Sequence, residues 1–155
     1  MTDNEAVERF WQRYLRASSR TDEVRYFEAF GFGNTPEMAD ALADLVLRGI
    51  KTATSGLLWE YEDRQKPHYA VGDLHVVLNG AGEPRAVIET VELWTMQFSE
   101  VDAAFAWDYG EGDRTLAWWQ THLWEYYAEE CATLGRTPLP DMPLICERFR
   151  LVYAG

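Results

Sequence analysis

Apolar residues recur at helical spacing twice in the first fifty positions. In "NEAVERFWQRYLRAS", Val7, Phe10, Trp11 and Tyr14 fall on one stripe, while Glu8, Arg9, Gln12 and Arg13 cover much of the remainder. That spacing predicts an amphipathic helix at about residues 4–17. A second helix is predicted in "NTPEMADALADLVLRG". Asn34 or Thr35 can cap it, Pro36 suits its first turn, and Glu37 complements the N-terminal dipole. Met38, Leu42, Leu45 and Val46 form its buried stripe, and Gly49 is placed to end it. Phe27, Phe30 and Phe32, just ahead of this helix, read as packing residues.

The period then shifts to two. "DLHVVLNGAGEPRAVIETVELWTMQF" predicts strands at 74–79 and 85–95 around a turn at "NGAGEP". Both faces of the second strand are largely apolar, which predicts a central position. Helical spacing returns in "SEVDAAFAWDYG" and in a longer segment starting at Asp113 or Thr115. In the longer helix Leu116, Trp119, Leu123, Tyr127 and Glu130 share a face, with Gly135 beyond its end. "RTPLPDMP" reads as a stiff connector and "LICERFRLVYA" as a closing strand. The expectation is one α+β domain over residues 1–155, a small sheet or barrel decorated by helices.

Charge narrows the function. Fourteen Lys and Arg against 26 Asp and Glu give a net charge of −12 across 155 residues. Such a surface cannot supply the basic footprint of a general DNA or RNA binder, although a local pocket for one nucleotide stays open. No apolar run reaches the roughly 18–20 residues of a membrane span. The start, "MTDNEAVERFWQRY", lacks a signal-peptide pattern, so a cytoplasmic location without membrane contact is expected. Cys131 and Cys146 read as buried thiols. His68, His75 and His122 form no metal motif, and the chain carries neither a P-loop nor a dinucleotide fingerprint. Neither metal nor cofactor is expected.

The candidate chemistry starts in "RGIKTATSG", where Lys51 lies three residues before Thr54. Those side chains cooperate only across a twisted or bulged entry into a strand. Lys51 can hold a phosphate, or accept a proton where burial lowers its pKa. Thr54 needs such a base to act as a nucleophile. The plain alternative is a lysine snorkelling from a strand edge beside a threonine chosen for strand propensity. On the strand "RAVIETVELW", Glu89 and Glu92 face opposite sides, and a buried one requires a partner. Lys51 is a plausible partner for Glu89, for a structural ion pair as much as for a catalytic one. "DYGEGDRT" reads as a helix-start loop. The rings of Trp118, Trp119, Trp124, Tyr126 and Tyr127 exceed one buried stripe and form either a stacking wall or a partner surface. His122 is the best acid–base candidate among the histidines.

Taken in order, "FGFGNTPEMADALADLVLRGIKTAT", "LLWEYE", "VGDLHVVL", "GEPRAVIETVE", "GEGDRTLAWWQTHLWEYY" and "DMPLICERFRLVY" resemble the bacterial ASCH-domain proteins from Phe30 to Tyr153. The resemblance implies a PUA-like fold, a small β-barrel with flanking helices, and a cleft for RNA or nucleotides. It also implies one of two activities. Small amidohydrolases of the family deacetylate N4-acetylcytidine, and another member type is a ribonuclease. The amidohydrolase "K-x-x-T" run falls on Lys51 and Thr54, and its strand glutamate is matched to Glu89. On that resemblance Lys51, Thr54 and Glu89 are the expected catalytic set, with backbone N–H groups of residues 51–55 as oxyanion donors. Thr52, Ser55, Trp118 and His122 are the expected substrate contacts. The expected ligand is a nucleoside, modified base or short RNA, in a hydrolase acting on N4-acylated cytidine-like substrates. The alternatives are a ribonuclease, a noncatalytic RNA or nucleotide reader, and a protein-interaction domain.

Overall fold

A computed structural model describes residues 4–21 and 23–155. Helix α1 (Asn4–Ser18) is followed by a short strand β1 (Glu28–Gly31), helix α2 (Pro36–Leu47) and strand β2 (Ala53–Leu57). Helix α3 (Leu58–Asp63) leads to strands β3 (Leu74–Leu78) and β4 (Pro84–Gln97). A 3₁₀ turn at Phe98–Glu100, helices α4 (Ala103–Tyr109) and α5 (Leu116–Leu134), and strand β5 (Pro143–Ala154) complete the fold. The five strands form a curled half-barrel in the order β1-β3-β4-β5-β2. β1 runs parallel to β3, and every other neighbouring pair is antiparallel.

The predicted strands and helices are present, and β1 and α3 are additions. β1 is four residues long with partly exposed side chains, and α3 buries no residue fully, so neither imposes a periodic apolar signal. Thr35 rather than Asn34 caps α2 through its side chain, with Pro36 at the first position. Thr115 rather than Asp113 caps α5, while Asp113 accepts the Thr115 hydroxyl at 2.6 Å. Left-handed Gly135 closes that helix.

Helices cover the sheet on more than one side, so β3 is buried at every position. Leu74, Val76 and Leu78 alternate into a core with Val7, Phe10, Trp11, Tyr14 and Leu15 of α1. Val77 points the other way, into the core under α2 with Leu42, Ala43 and Val46. His75 shares the parity of Val77 and meets the rings of Phe27, Phe30 and Tyr69. A third core joins α4 and α5 to β2 and β5 through Phe105, Tyr109, Trp119, Tyr127, Leu144 and Cys146. Both cysteines are free and buried, as composition implied. Glu130 departs from its predicted core face: α5 buries Trp119, Leu123, Tyr127 and Cys131, while Glu130 turns towards an open cavity.

Among the described residues no helix is long and apolar enough to cross a membrane. No cluster of three or more His, Cys, Asp or Glu has metal-holding geometry among them.

Candidate ligand-binding site

A cavity of about 590 Å³ opens between α2, β2, α3, β3 and α5. The cavity is large enough for a nucleoside, which falls within the usual size range of small-ligand sites. Thr54 and Ser55 of β2 border it, as do Trp118 and His122 of α5. The Trp118 and His122 rings stack at 4.1 Å with a 16° interplanar angle, and His122 Nδ1 is 2.9 Å from the Trp118 carbonyl. Helical spacing explains that pair, since residues four apart occupy neighbouring turns of one face.

Lys51 lies behind this wall rather than in it. Its side chain is 0 % exposed, and all three ammonium hydrogens have acceptors: Ala53 O at 2.8 Å, Tyr109 O at 3.3 Å and Glu111 Oε2 at 2.8 Å. The ammonium also sits 3.7 Å from the Tyr109 ring centroid. Desolvation lowers the Lys51 pKa from its ordinary 10.5, and Glu111 opposes that shift. An ammonium with every hydrogen bonded is a strut: it ties the α4–α5 loop to the entry of β2. Glu111 itself borders the cavity.

Glu89 does not join Lys51, and the expected pairing is corrected here. Its carboxylate takes two hydrogen bonds from Arg150, at 2.6 and 2.9 Å, across the β4/β5 ladder. Strand alternation gives the reason. Neighbouring Thr90 points inward to the cavity-side network, so Glu89 points away from it. Glu92 likewise goes to Arg148, at 3.6 Å. Thr52 is outside the cavity wall too; its backbone N–H and its hydroxyl both donate to Asp108 O of α4, at 2.8 and 3.3 Å. The Lys51 N–H is likewise taken, by Leu45 O at 3.1 Å, so neither residue supplies a free oxyanion donor.

The carboxyl that faces Thr54 is Glu147. These residues are directly opposite in the β2/β5 register and both border the cavity. Glu147 is 4 % exposed, accepting from Tyr69 Oη and Thr90 Oγ1, each at 2.8 Å. Burial pushes its pKa up, against the opposing effect of those two hydrogen bonds. Thr90 Oγ1 is also 3.1 Å from His75 Nε2. With Glu147 ionised, the single Thr90 hydroxyl hydrogen goes to it, so His75 Nε2 is the donor and Nδ1 is left as a lone-pair acceptor. That Nδ1 is buried without a partner, and burial pushes the His75 pKa down to about 4. Ser55 Oγ, at the same wall, is 2.6 Å from Tyr127 Oη and 3.1 Å from Tyr109 Oη.

Sequence reasoning missed Glu111, Glu147, Tyr69 and His75 as site residues. Glu111 sits in a loop whose glycines and acids read as a helix start. Glu147 carries a weak signal, a lone carboxylate inside the apolar "LICERF" strand.

The ASCH domain family model matches residues 28–153. The crystal structure of an ASCH domain from Lactobacillus crispatus JV V101 is 36% identical, with a TM-score of 0.90, covering 97% of this chain and 96% of that one. The crystal structure of a protein from Enterococcus faecalis V583 is 30% identical at a TM-score of 0.87, covering 95% of this chain and 88% of that one. No curated protein matches the chain.

Proposed function

This chain belongs to the ASCH domain family, and we propose that its cavity binds a nucleoside or modified base without the sugar–phosphate chain around it. One observation carries the reading: aromatic rings and hydrogen-bond acceptors line a nucleoside-sized recess whose one lining cation among the described residues is already paired with a carboxylate. Phe30, Phe32, Tyr61, Tyr69, Tyr109 and Trp118 supply ring surface, and Thr54 and Ser55 supply hydroxyls. Stacking on such rings holds a base by its π-face. Lys66 is the one Lys or Arg lining the cavity among the described residues, and it is held by Glu60 at 3.1 Å. At an effective dielectric near 20, a phosphate about 7 Å from one wall carboxylate meets a repulsion of ~2 kcal/mol. This weighs against ribonuclease action on a strand threaded through the cavity.

Amide hydrolysis is the second reading, favoured by Thr54 at the wall, with Glu147 opposite it and Glu111 linking the wall to Lys51. Attack of the Thr54 hydroxyl on an acyl carbonyl requires a proton acceptor. Lys51 serves only after Glu111 releases it and it loses its proton, whereas Glu147 serves in its ionised form.

Calorimetric titration with unmodified nucleosides, N4-acetylcytidine and their 5′-monophosphates tests binding. Saturable, salt-insensitive binding of nucleosides, weakened by a 5′-phosphate, is the expected result. Binding only to oligonucleotides, with strong salt dependence, would refute it. Mass detection of free cytidine from N4-acylated cytidines tests hydrolysis, and absence of turnover by folded protein removes that second reading while leaving the first.

A further inference from the structure

The cavity wall is unevenly charged. Among the described residues seven glutamates border it, against Lys66 as the one Lys or Arg. Glu60 is spent on Lys66 and Glu111 on Lys51. The other five, Glu28, Glu125, Glu129, Glu130 and Glu147, have no cation within ion-pair distance among the described residues. Burial and then the neighbouring Glu60 carboxyl raise the Glu130 pKa.

A second, independent feature looks the same way. His75 is 2 % exposed and borders the cavity, and its Nδ1 is a buried acceptor without a donor. A native buried acceptor left open beside a recess is satisfied by whatever enters it. The molecule also displays what these walls do with a cation. Lys66 is held between Glu60 and the Tyr61 ring, 4.8 Å from its centroid, and Lys51 between Glu111 and the Tyr109 ring. Carboxylate on one side and ring face on the other is the arrangement that binds organic cations.

We propose that the ligand is a positively charged, phosphate-free base: an N-alkylated nucleoside whose ring cation lies among the unpaired cavity glutamates and aromatic faces, with an N–H or O–H donated to His75 Nδ1. This rests on the nucleoside reading above and narrows it to a ligand class. A delocalised ring cation satisfies both halves of the wall at once, since it stacks like a base and neutralises like an ammonium. A neutral base leaves the carboxylates repelling one another, and a nucleotide adds to that repulsion.

The test is calorimetric titration of the intact chain at low and at physiological salt with two matched pairs, adenosine against 1-methyladenosine and cytidine against 3-methylcytidine. Each methylated nucleoside is a ring cation at neutral pH. At least one of them should bind roughly tenfold or more tightly than its parent, and its 5′-monophosphate should lose much of that gain. The Glu125→Gln, Glu129→Gln double variant, on an exposed stretch of α5, should reduce the preference while leaving thermal unfolding near wild type. Parents and cations of equal affinity would overturn the charge proposal and leave the nucleoside reading standing. If no nucleoside of either kind binds, both fall. A preference for the cation that survives the double variant, and also a third variant, Glu28→Gln, would show that these carboxylates are not its source and would overturn the proposal.

Discussion

Replacing Glu111 by glutamine should destabilise the protein through Lys51, a residue it leaves chemically untouched. The substitution keeps the shape of the side chain and an acceptor oxygen but removes the counter-charge 2.8 Å from a fully buried ammonium. Removing one partner of a buried pair typically costs 3–5 kcal/mol, because the remaining charge is stranded. Here Ala53 O, Tyr109 O and the Tyr109 ring still face the ammonium, which places the cost at the lower end, about 3 kcal/mol. For a domain of this size that corresponds to a fall in Tm of roughly 6–12 °C. Urea unfolding at several pH values is the assay. Desolvation already holds Lys51 below 10.5, and the loss of Glu111 lowers it further. A base depressed in the folded state costs stability at low pH, where the unfolded chain takes up the extra proton. The deficit of the variant should therefore be full below the depressed pKa and shrink as pH rises through the wild-type value of Lys51. The Lys51→Met, Glu111→Gln double variant should be less damaged than the sum of its single changes. A single-variant loss below about 1 kcal/mol, or strict additivity, would refute the reasoning.

Three further outcomes follow from the same geometry. Burial raises Glu147, so the folded state holds a proton that the unfolded chain releases near 4.5, and stability falls as pH rises from there through the raised pKa; Glu147→Gln should flatten that slope in pH-dependent thermal melts. Gly112 has φ +60° and a Cβ built on it would run into the Trp118 indole, so Gly112→Ala should cost about 1–3 kcal/mol and shift the Trp fluorescence, and an unchanged spectrum would count against the contact. His75, pushed down to about 4, should be neutral at pH 6 with its hydrogen on Nε2. Nitrogen NMR shifts report that tautomer, and a ring titrating near 6.5 would show that it is solvated; the stability tied to this ring is lost as pH falls from about 6.5 through about 4.

Much of the fold was legible because the main elements are amphipathic over long windows. α1 declares itself in Val7, Phe10, Trp11 and Tyr14, all buried, and α2 in its Thr35-Pro36 start. The site was legible in part. Thr54, Ser55, Trp118 and His122 were named on the family resemblance, and all four border the same cavity. Pairing across the fold was not legible. Lys51 finds Glu111, from a loop sixty residues on, because that loop packs across the entry of β2. Glu89 goes to Arg150 because strand register, invisible in a single sequence, decides which face meets which neighbour. Thr54 and Glu147 oppose each other for the same reason.

The sheet order carries a consequence for how the molecule comes into being. β2 borders β5 alone, so the strand that carries Thr54 has no ladder to join until the far-downstream segment Pro143–Ala154 has emerged from the ribosome and inserted beside β4. Nascent chains stalled before that point should lack a formed recess, however well their early helices have condensed. The wall that carries Thr54 thus waits for β5, and a truncation within β5 leaves β2 without its ladder and Thr54 without Glu147 opposite.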